Sequence, residues 1–429
     1  MIKYDTPKLQ DIPGMPTRAG LINTITTATT LLTMLLSSCS SANKPATTLY
    51  IAYTIADNEF TQAAKERIEK QISLRTQLFL RTNPNTRVVT VAYKDSQLQH
   101  QITEDSQLNL GPDLILALDY QLRNLYQDSL ISAFPNSSVW AQQYSDVLKT
   151  LFTVDNKLAF APYGIYPQVS CYNNKIIKQP PKTIQELVRL GASGVRIGLS
   201  TNPPEIFWTA GSTGAIPEIS SLLNKTNQNK PQPKIKEWIT WLRQAALYQN
   251  ISFYRQQSEL VNELASNNLD WISCHSFDIV RLREEMGEQL SIATLPNGVQ
   301  AKAFAWPIVQ VYGLGTDSSP TQRELALSYV KANTNAVGQR RVMLSTEAYL
   351  PANKAVDIPN QSSQTLKANN DSWNEQSLSY LKQWPIIIQY LETKSALEVG
   401  KTLTELTSGN INVDDALQAL TNLGKKGKE

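Results

Sequence analysis

Apolar positions early in the chain follow two alternating rhythms. Thr48–Thr54 (TLYIAYT), Arg87–Tyr93 (RVVTVAY) and Gly111–Leu118 (GPDLILAL) are short, β-branched or aromatic runs, the pattern of buried strands. Between the first two, Phe60, Ala64, Ile68, Ile72 and Leu78 recur toward one side, which predicts an amphipathic helix from about Asn58 to Leu80. From Asp119 the spacing turns helical again through Leu122, Leu125 and Tyr126. Strands and helices in alternation predict a parallel sheet covered by helices.

The rhythm breaks at Asn156–Lys175 (NKLAFAPYGIYPQVSCYNNK), which is apolar and aromatic and carries Pro162, Gly164 and Pro167. Those three residues force an extended, kinked path from a strand beginning near Leu158 to one ending near Tyr172. Two expectations fit: a buried double strand, or a crossing between two lobes that also lines a cleft. Thr183 and Glu186 then form a capping box for a helix stopped by Gly191. Further strands are expected at Val195–Leu199, Leu269–Cys274, Leu290–Leu295 and within the aromatic stretch Phe304–Gly315. Asn224–Pro233 is a polar surface loop, followed by a helix over Lys234–Gln249. Ser319-Pro320 with Gln322 opens another helix, and Asn412 caps the last one. The remainder is expected to be helical except for loops around Tyr349–Asn360 and Asn369–Asp371.

Composition narrows the chemistry. The 429 residues suffice for two ordinary domains. A net charge of +3, with basic residues scattered, provides no field for nucleic acid. Three cysteines without paired spacing and two histidines, His100 and His275, argue against a structural metal; no metal and no cofactor are expected. Ser328-x-x-Lys331 and Ser379-x-x-Lys382 imitate a serine hydrolase motif, but both fall on predicted helices without companion motifs and are assigned to helix surface.

Leu21–Leu36 is free of charge and follows a leader carrying Lys3, Lys8 and Arg18. With Leu36-Ser37-Ser38-Cys39 it resembles a bacterial lipoprotein signal. This resemblance implies that 1–38 is a signal peptide, Cys39 the lipidated first residue, and 39–47 a tether. An exported, membrane-anchored protein facing the periplasm or exterior is the expectation.

Several separated stretches resemble one family, the extracellular solute-binding proteins of ABC importers in the maltose-binding-like cluster. They are Gly111–Leu130, Asn156–Lys175 with the following PPKTIQEL, Leu269–Asp278 with Leu295-Pro296, Tyr349–Val356 (YLPANKAV) and the terminal GNINVDDALQAL. Their order along the chain is that of the family. The resemblance implies an α/β, two-lobed periplasmic-binding-protein-like fold with discontinuous lobes and a hinge. Lobe one would hold 48–162 and 304–347, and lobe two 163–303 and 348–429. The implied partners are a small-molecule solute, sugar-like above all, and ABC importer permease subunits, with the protein itself a monomer and not an enzyme.

Ligands of such sheets sit beyond the carboxyl ends of the strands. The candidates there are Tyr53 and Asp57, Asp119 and Tyr120, Tyr163 and Tyr166, Asn202, Trp208, Phe277 and Asp278, and Trp306. Aromatic faces can stack on a sugar ring, while carboxylates and amides accept its hydroxyl protons. Asp119 also suits a helix start, and Trp208 also suits plain core. The chain bears a more distant resemblance to type I thiaminases, notably in Ser276–Leu282 (SFDIVRL) and the crossing, which leaves a thiaminase-like enzyme or a thiamine- or pyrimidine-binding relative as the alternative. Such enzymes need a nucleophilic cysteine in the crossing and a glutamate base in the strand–helix loop. Here Tyr166 and Phe277 stand in those places, with Cys171 five residues beyond Tyr166. Cys171 and Cys274 both fall on predicted strands, where either a disulfide or two buried thiols would fit.

Overall fold

Strands β1 (Thr47–Ile55), β2 (Thr86–Lys94) and β3 (Leu114–Leu118) lie side by side and parallel, with β1 in the middle. Their helical connections are what a parallel pair requires. This is the arrangement expected from the early alternation. These coordinates come from a computed structural model, which describes residues 46–224, 231–304, 308–373, 387 and 394–426.

The Gln62–Thr82 helix begins four residues later than its apolar spacing suggests, because Asp57–Glu59 forms a separate tight turn. Thr61 is the cap, its hydroxyl accepting from the Ala64 amide at 3.2 Å. Ile72 and Phe79 are buried under this helix, which packs against β2 and the Pro320–Thr334 helix.

Beyond β3 the first sheet turns antiparallel. A tight hairpin, β5 (Thr153–Val154) with β6 (Lys157–Leu158), turns through Asp155 and Asn156, both at positive φ. The chain then enters β7 (Ala161–Tyr166), which runs antiparallel to β13 (Ile308–Gly315), and β13 in turn is antiparallel to β3. The short strands β4 (Ile131–Ser132) and β14 (Leu350–Pro351) pair with β13 and β7.

The second sheet takes the order β10-β9-β11-β8-β12, built from β8 (Gln168–Asn173), β9 (Ile197–Ser200), β10 (Ile251–Tyr254), β11 (Trp271–His275) and β12 (Leu290–Ala293). β9, β10 and β11 are parallel, while β8 is antiparallel to both β11 and β12. The chain therefore leaves the first sheet after Tyr166 and joins the second at Gln168, with Pro167 between. Where the boundary was expected at Pro162, Tyr163 and Tyr166 lie on β7 of the first sheet, Tyr166 paired with Ile308 and Tyr163 at an irregularity in the register. Leu350 and Pro351, expected in lobe two, also pair there. In both cases inter-strand hydrogen bonding holds the chain in the first sheet beyond the expected boundary.

Two other local expectations change for tertiary reasons. Gly191 lies within the Ile184–Ala192 helix, packed so tightly that a Cβ there would meet Ile251 at 2.7 Å. The left-handed position after this helix belongs instead to Gly194, at φ +104°. Asn369–Asp371 is helical, inside Gln364–Ser372. The buried Asn369 side chain donates to the Glu347 carbonyl at 3.1 Å, a long-range bond that outweighs its preference for turns. Other caps form as expected, with Ser319 accepting from Gln322 and Asn412 from Asp415.

Ser328 and Lys331 lie on the Pro320–Thr334 helix, whereas Ser379, Lys382, Cys39 and most of the polar Asn224–Pro233 loop lie outside the described residues. No helix among the described residues is long and apolar enough to cross a membrane.

Candidate functional site: a cleft between the two sheets

The carboxyl end of β1 opens into a cleft enclosing about 220 Å³. Thr54, Ala56 and Glu59 line it from the β1 end and the turn that follows, and Asp95 from the end of β2. Arg67, Gln71 and Arg75 come from one side of the Gln62–Thr82 helix, each a turn apart. Tyr166 and Gln310 come from the paired strands β7 and β13. The opposite wall is the loop after β11 and the helix it starts, with Phe277, Asp278 and Arg281. Residues of both sheets thus face one space.

The β11 loop is held by a buried polar cluster. His275 Nε2 lies 2.8 Å from Glu205 Oε2, with His275 only 1% exposed. Burial pushes the His275 ring toward neutrality, but Glu205, aided by Asp278 and the Tyr166 backbone, holds the ring above its ordinary value. The Phe277 ring lies flat on this imidazole, interplanar angle 4° and centroids 5.5 Å apart. Asp278 turns back so that its carboxylate accepts from the His275 amide at 3.1 Å. Burial raises Asp278 to about 7; His275 works against that shift, while Glu59 across the cleft adds to it.

Arg75 is 3% exposed, with its guanidinium 4.1 Å from the centroid of the Tyr163 ring. The surrounding tyrosines form a continuous aromatic cluster, Tyr163 packing on Tyr312 and Tyr349, and Tyr166 on Tyr349.

Of the residues proposed from sequence, the structure brings Tyr166, Phe277 and Asp278 together in the cleft lining. Tyr163 lies behind the lining as the ring beneath Arg75. Tyr53 is buried on β1 and donates to Glu69 at 3.1 Å. Asp57 is exposed and accepts from the Ser96 amide at 3.0 Å, and its bonds from Ser96 hold its carboxyl below the ordinary range. Asp119 is buried at the start of its helix, and burial lifts it to about 6 against the pull of Arg123. Tyr120 is partly exposed beside it. Asn202 precedes the helix of Trp208 without a side-chain capping bond, and Trp208 itself is fully buried against Trp271. None of these last six lines the cleft. Trp306 lies outside the described residues.

Sequence reasoning missed Glu59, Arg67, Gln71, Arg75, Asp95 and Gln310. One signal was present: Arg67, Gln71 and Arg75 recur every four residues beside the buried stripe of Ala64, Ile68 and Ile72.

Cys171 on β8 and Cys274 on β11 are joined as a disulfide, Cα atoms 5.9 Å apart. Both are fully buried among Leu260, Leu264 and Ile279, so neither is a thiolate facing the cleft. Among the described residues no cluster could hold a metal ion.

No protein-family model matches the chain, and no curated protein sequence matches it. Solved structures do. The GacH receptor of Streptomyces glaucescens, solved unliganded and with acarbose, is 12% identical with a TM-score of 0.67, over 89% of this chain and 100% of that one. A cyclo/maltodextrin-binding protein complexed with maltotetraose is 16% identical with a TM-score of 0.65, over 90% and 98%. A solute-binding protein of an ABC transporter from Thermotoga lettingae, bound with α-D-tagatose, is 12% identical with a TM-score of 0.61, over 88% and 99%. Two sheets, strands that pass between them and a cleft at their carboxyl ends thus give this chain the two-lobed α/β fold of the maltose-binding-like solute-binding proteins.

Proposed function

We propose that this protein is the substrate-binding component of an ABC importer and captures a small, sugar-like solute between two closing lobes. The observation that carries the reading is the convergence of Tyr166 from the first sheet with Phe277 and Asp278 from the second on one cleft. Aromatic faces beside carboxylates and amides are the groups a sugar ring needs, one for its C–H face and the others for its hydroxyls. The similar structures bound to acarbose, maltotetraose and tagatose support a carbohydrate class of ligand. On this reading the protein is a monomer and not an enzyme. It is exported by the segment 1–38, held at a membrane through lipidated Cys39, and delivers its solute to permease subunits.

Thermal-shift measurement against sugars, thiamine and its pyrimidine, and polyamines tests the reading. A ligand at 100 times its Kd should stabilise the protein by about 2.7 kcal/mol. Stabilisation by a sugar is expected; none by any solute class refutes the binding role. Thiamine base exchange by the purified protein would establish the enzyme instead. For the anchor, Cys39→Ala should release the protein from membranes, and unchanged partitioning would refute lipidation.

A further inference from the structure

We propose that Arg75 is a carboxylate-binding subsite at the floor of the cleft and that the solute is an acidic saccharide, a sugar acid rather than a neutral sugar. The inference rests on the binding role proposed above and adds the charge of the ligand.

Arg75 lines the cleft yet is 3% exposed, and no carboxylate lies within 4.0 Å of it among the described residues. A buried guanidinium normally has an anionic partner, because taking it out of water without one is costly. Its face is covered by the Tyr163 ring at 4.1 Å. That contact satisfies the π-face, and the Tyr166 and Tyr312 hydroxyls meet part of the in-plane N–H fork. Nε is buried and has no hydrogen-bond partner. An orphaned donor on a buried cation calls for an acceptor, and the tyrosines around it supply none that is charged.

The same side of the helix continues the pattern. Arg67 lines the cleft and forms no ion pair among the described residues, whereas Arg281 on the opposite wall is already paired with Glu285 at 2.8 Å. Carboxylates also line the cleft, Glu59, Asp95 and Asp278, none of them ion-paired with Arg75, and they suit hydroxyl groups. A ligand with one acidic end and a hydroxyl-bearing ring meets both demands; a neutral sugar leaves Arg75 uncompensated. A carboxylate matches the planar guanidinium fork two bonds at a time. A phosphate, carrying about −1.5 to −2 charges, asks for more than the single buried cation provided here.

The test compares matched pairs on the purified protein by calorimetry: galactose with galacturonate, glucose with glucuronate, and glucose 6-phosphate as the phosphate arm. Each uronate should bind on the order of 100-fold tighter than its neutral parent, and Arg75→Gln should remove that advantage while Arg75→Lys keeps part of it. Where Arg75→Gln does not fold, the wild-type protein decides: the buried Arg75 Nε resonance should move on adding galacturonate and stay still with galactose. A neutral sugar binding as tightly as its acid, an advantage that survives Arg75→Gln, or an unmoved Nε resonance overturns the inference alone. Tighter binding of glucose 6-phosphate than of either uronate overturns the carboxylate assignment. Silence from every saccharide overturns it together with the sugar-like ligand proposed above.

Discussion

The rings of Tyr166 and Phe277 meet edge to face, centroids 6.0 Å apart, although they belong to different sheets. Tyr166 ends β7, one residue before the chain changes sheet, and Phe277 lies in the loop after β11. The contact is therefore both a joint between the two halves and part of the cleft lining.

Phe277 is 40% exposed and underlaid by His275, so trimming its ring leaves little void in the core. Phe277→Ala is expected to weaken solute binding about tenfold, the loss of one aromatic stacking partner. Chemical unfolding of the unliganded protein should change by less than about 1 kcal/mol, as for a half-exposed side chain. Unchanged affinity by calorimetry would remove Phe277 from the site.

Asp278 makes stability depend on pH in a stated direction. Its carboxyl titrates near 3.8 when unfolded and about 7 when folded, because burial disfavours the charge. The folded state thus holds the proton more tightly, so its contribution is fully present below pH 3.8 and is lost as pH rises through about 7. His275, also raised on folding, acts with the same sign; Glu59 and Glu205 are the acidic groups facing the pair. Urea unfolding at pH 5 and pH 8 should show lower stability at the higher pH, and Asp278→Asn should flatten the difference. An equal slope in the variant assigns it elsewhere.

The Glu205–His275 pair is buried, so removing one partner strands the other. Glu205→Gln is expected to cost about 3–5 kcal/mol, the range for breaking a buried ion pair. Because Phe277 rests on His275 and Asp278 on its amide, solute affinity should fall as well. A variant as stable as the parent would mean that the imidazole is neutral in the folded protein.

The Cys171–Cys274 bridge closes a loop with a sequence separation of 103. Constraint of the unfolded chain by a loop of that size is worth about 4–5 kcal/mol in the chain-entropy treatment. In Cys39→Ala protein no thiol should react with Ellman's reagent, even unfolded, until a reductant is added, and reduction should lower the melting temperature. Two thiols titrating in unreduced, denatured protein would show that the bridge does not form.

Legibility in the sequence followed the range of the interactions. Strand and helix order in the first third was readable, because burial of one side imposes period two or 3.6 on neighbouring residues. Caps at Thr183, Ser319 and Asn412 were readable for the same reason, since donor and acceptor lie within one turn. The sheet change at Pro167 was not, because whether β7 pairs with β13 is decided by residues some 140 positions away. Asn369 shows the same limit, its helix being settled by a bond to Glu347.

For the site, sequence alone placed Tyr166, Phe277 and Asp278 after strands, where a sheet of this kind exposes its ends. It equally proposed Tyr53 and Trp208, whose patterns are the same but whose rings the fold buries. An aromatic residue near a strand end carries no mark of which side it faces once helices are packed on the sheet. Arg75 is the reverse case: on a helix it reads as ordinary surface charge, and only the packing of the tyrosine-bearing strands β7 and β13 beneath it makes it a buried cation. The sequence by itself determined the elements, their order and the class of fold, all written in short-range periodicity. Which side chains converge on the cleft was decided by tertiary structure, because burial and electrostatic environment are properties of residues brought together from far apart in the chain.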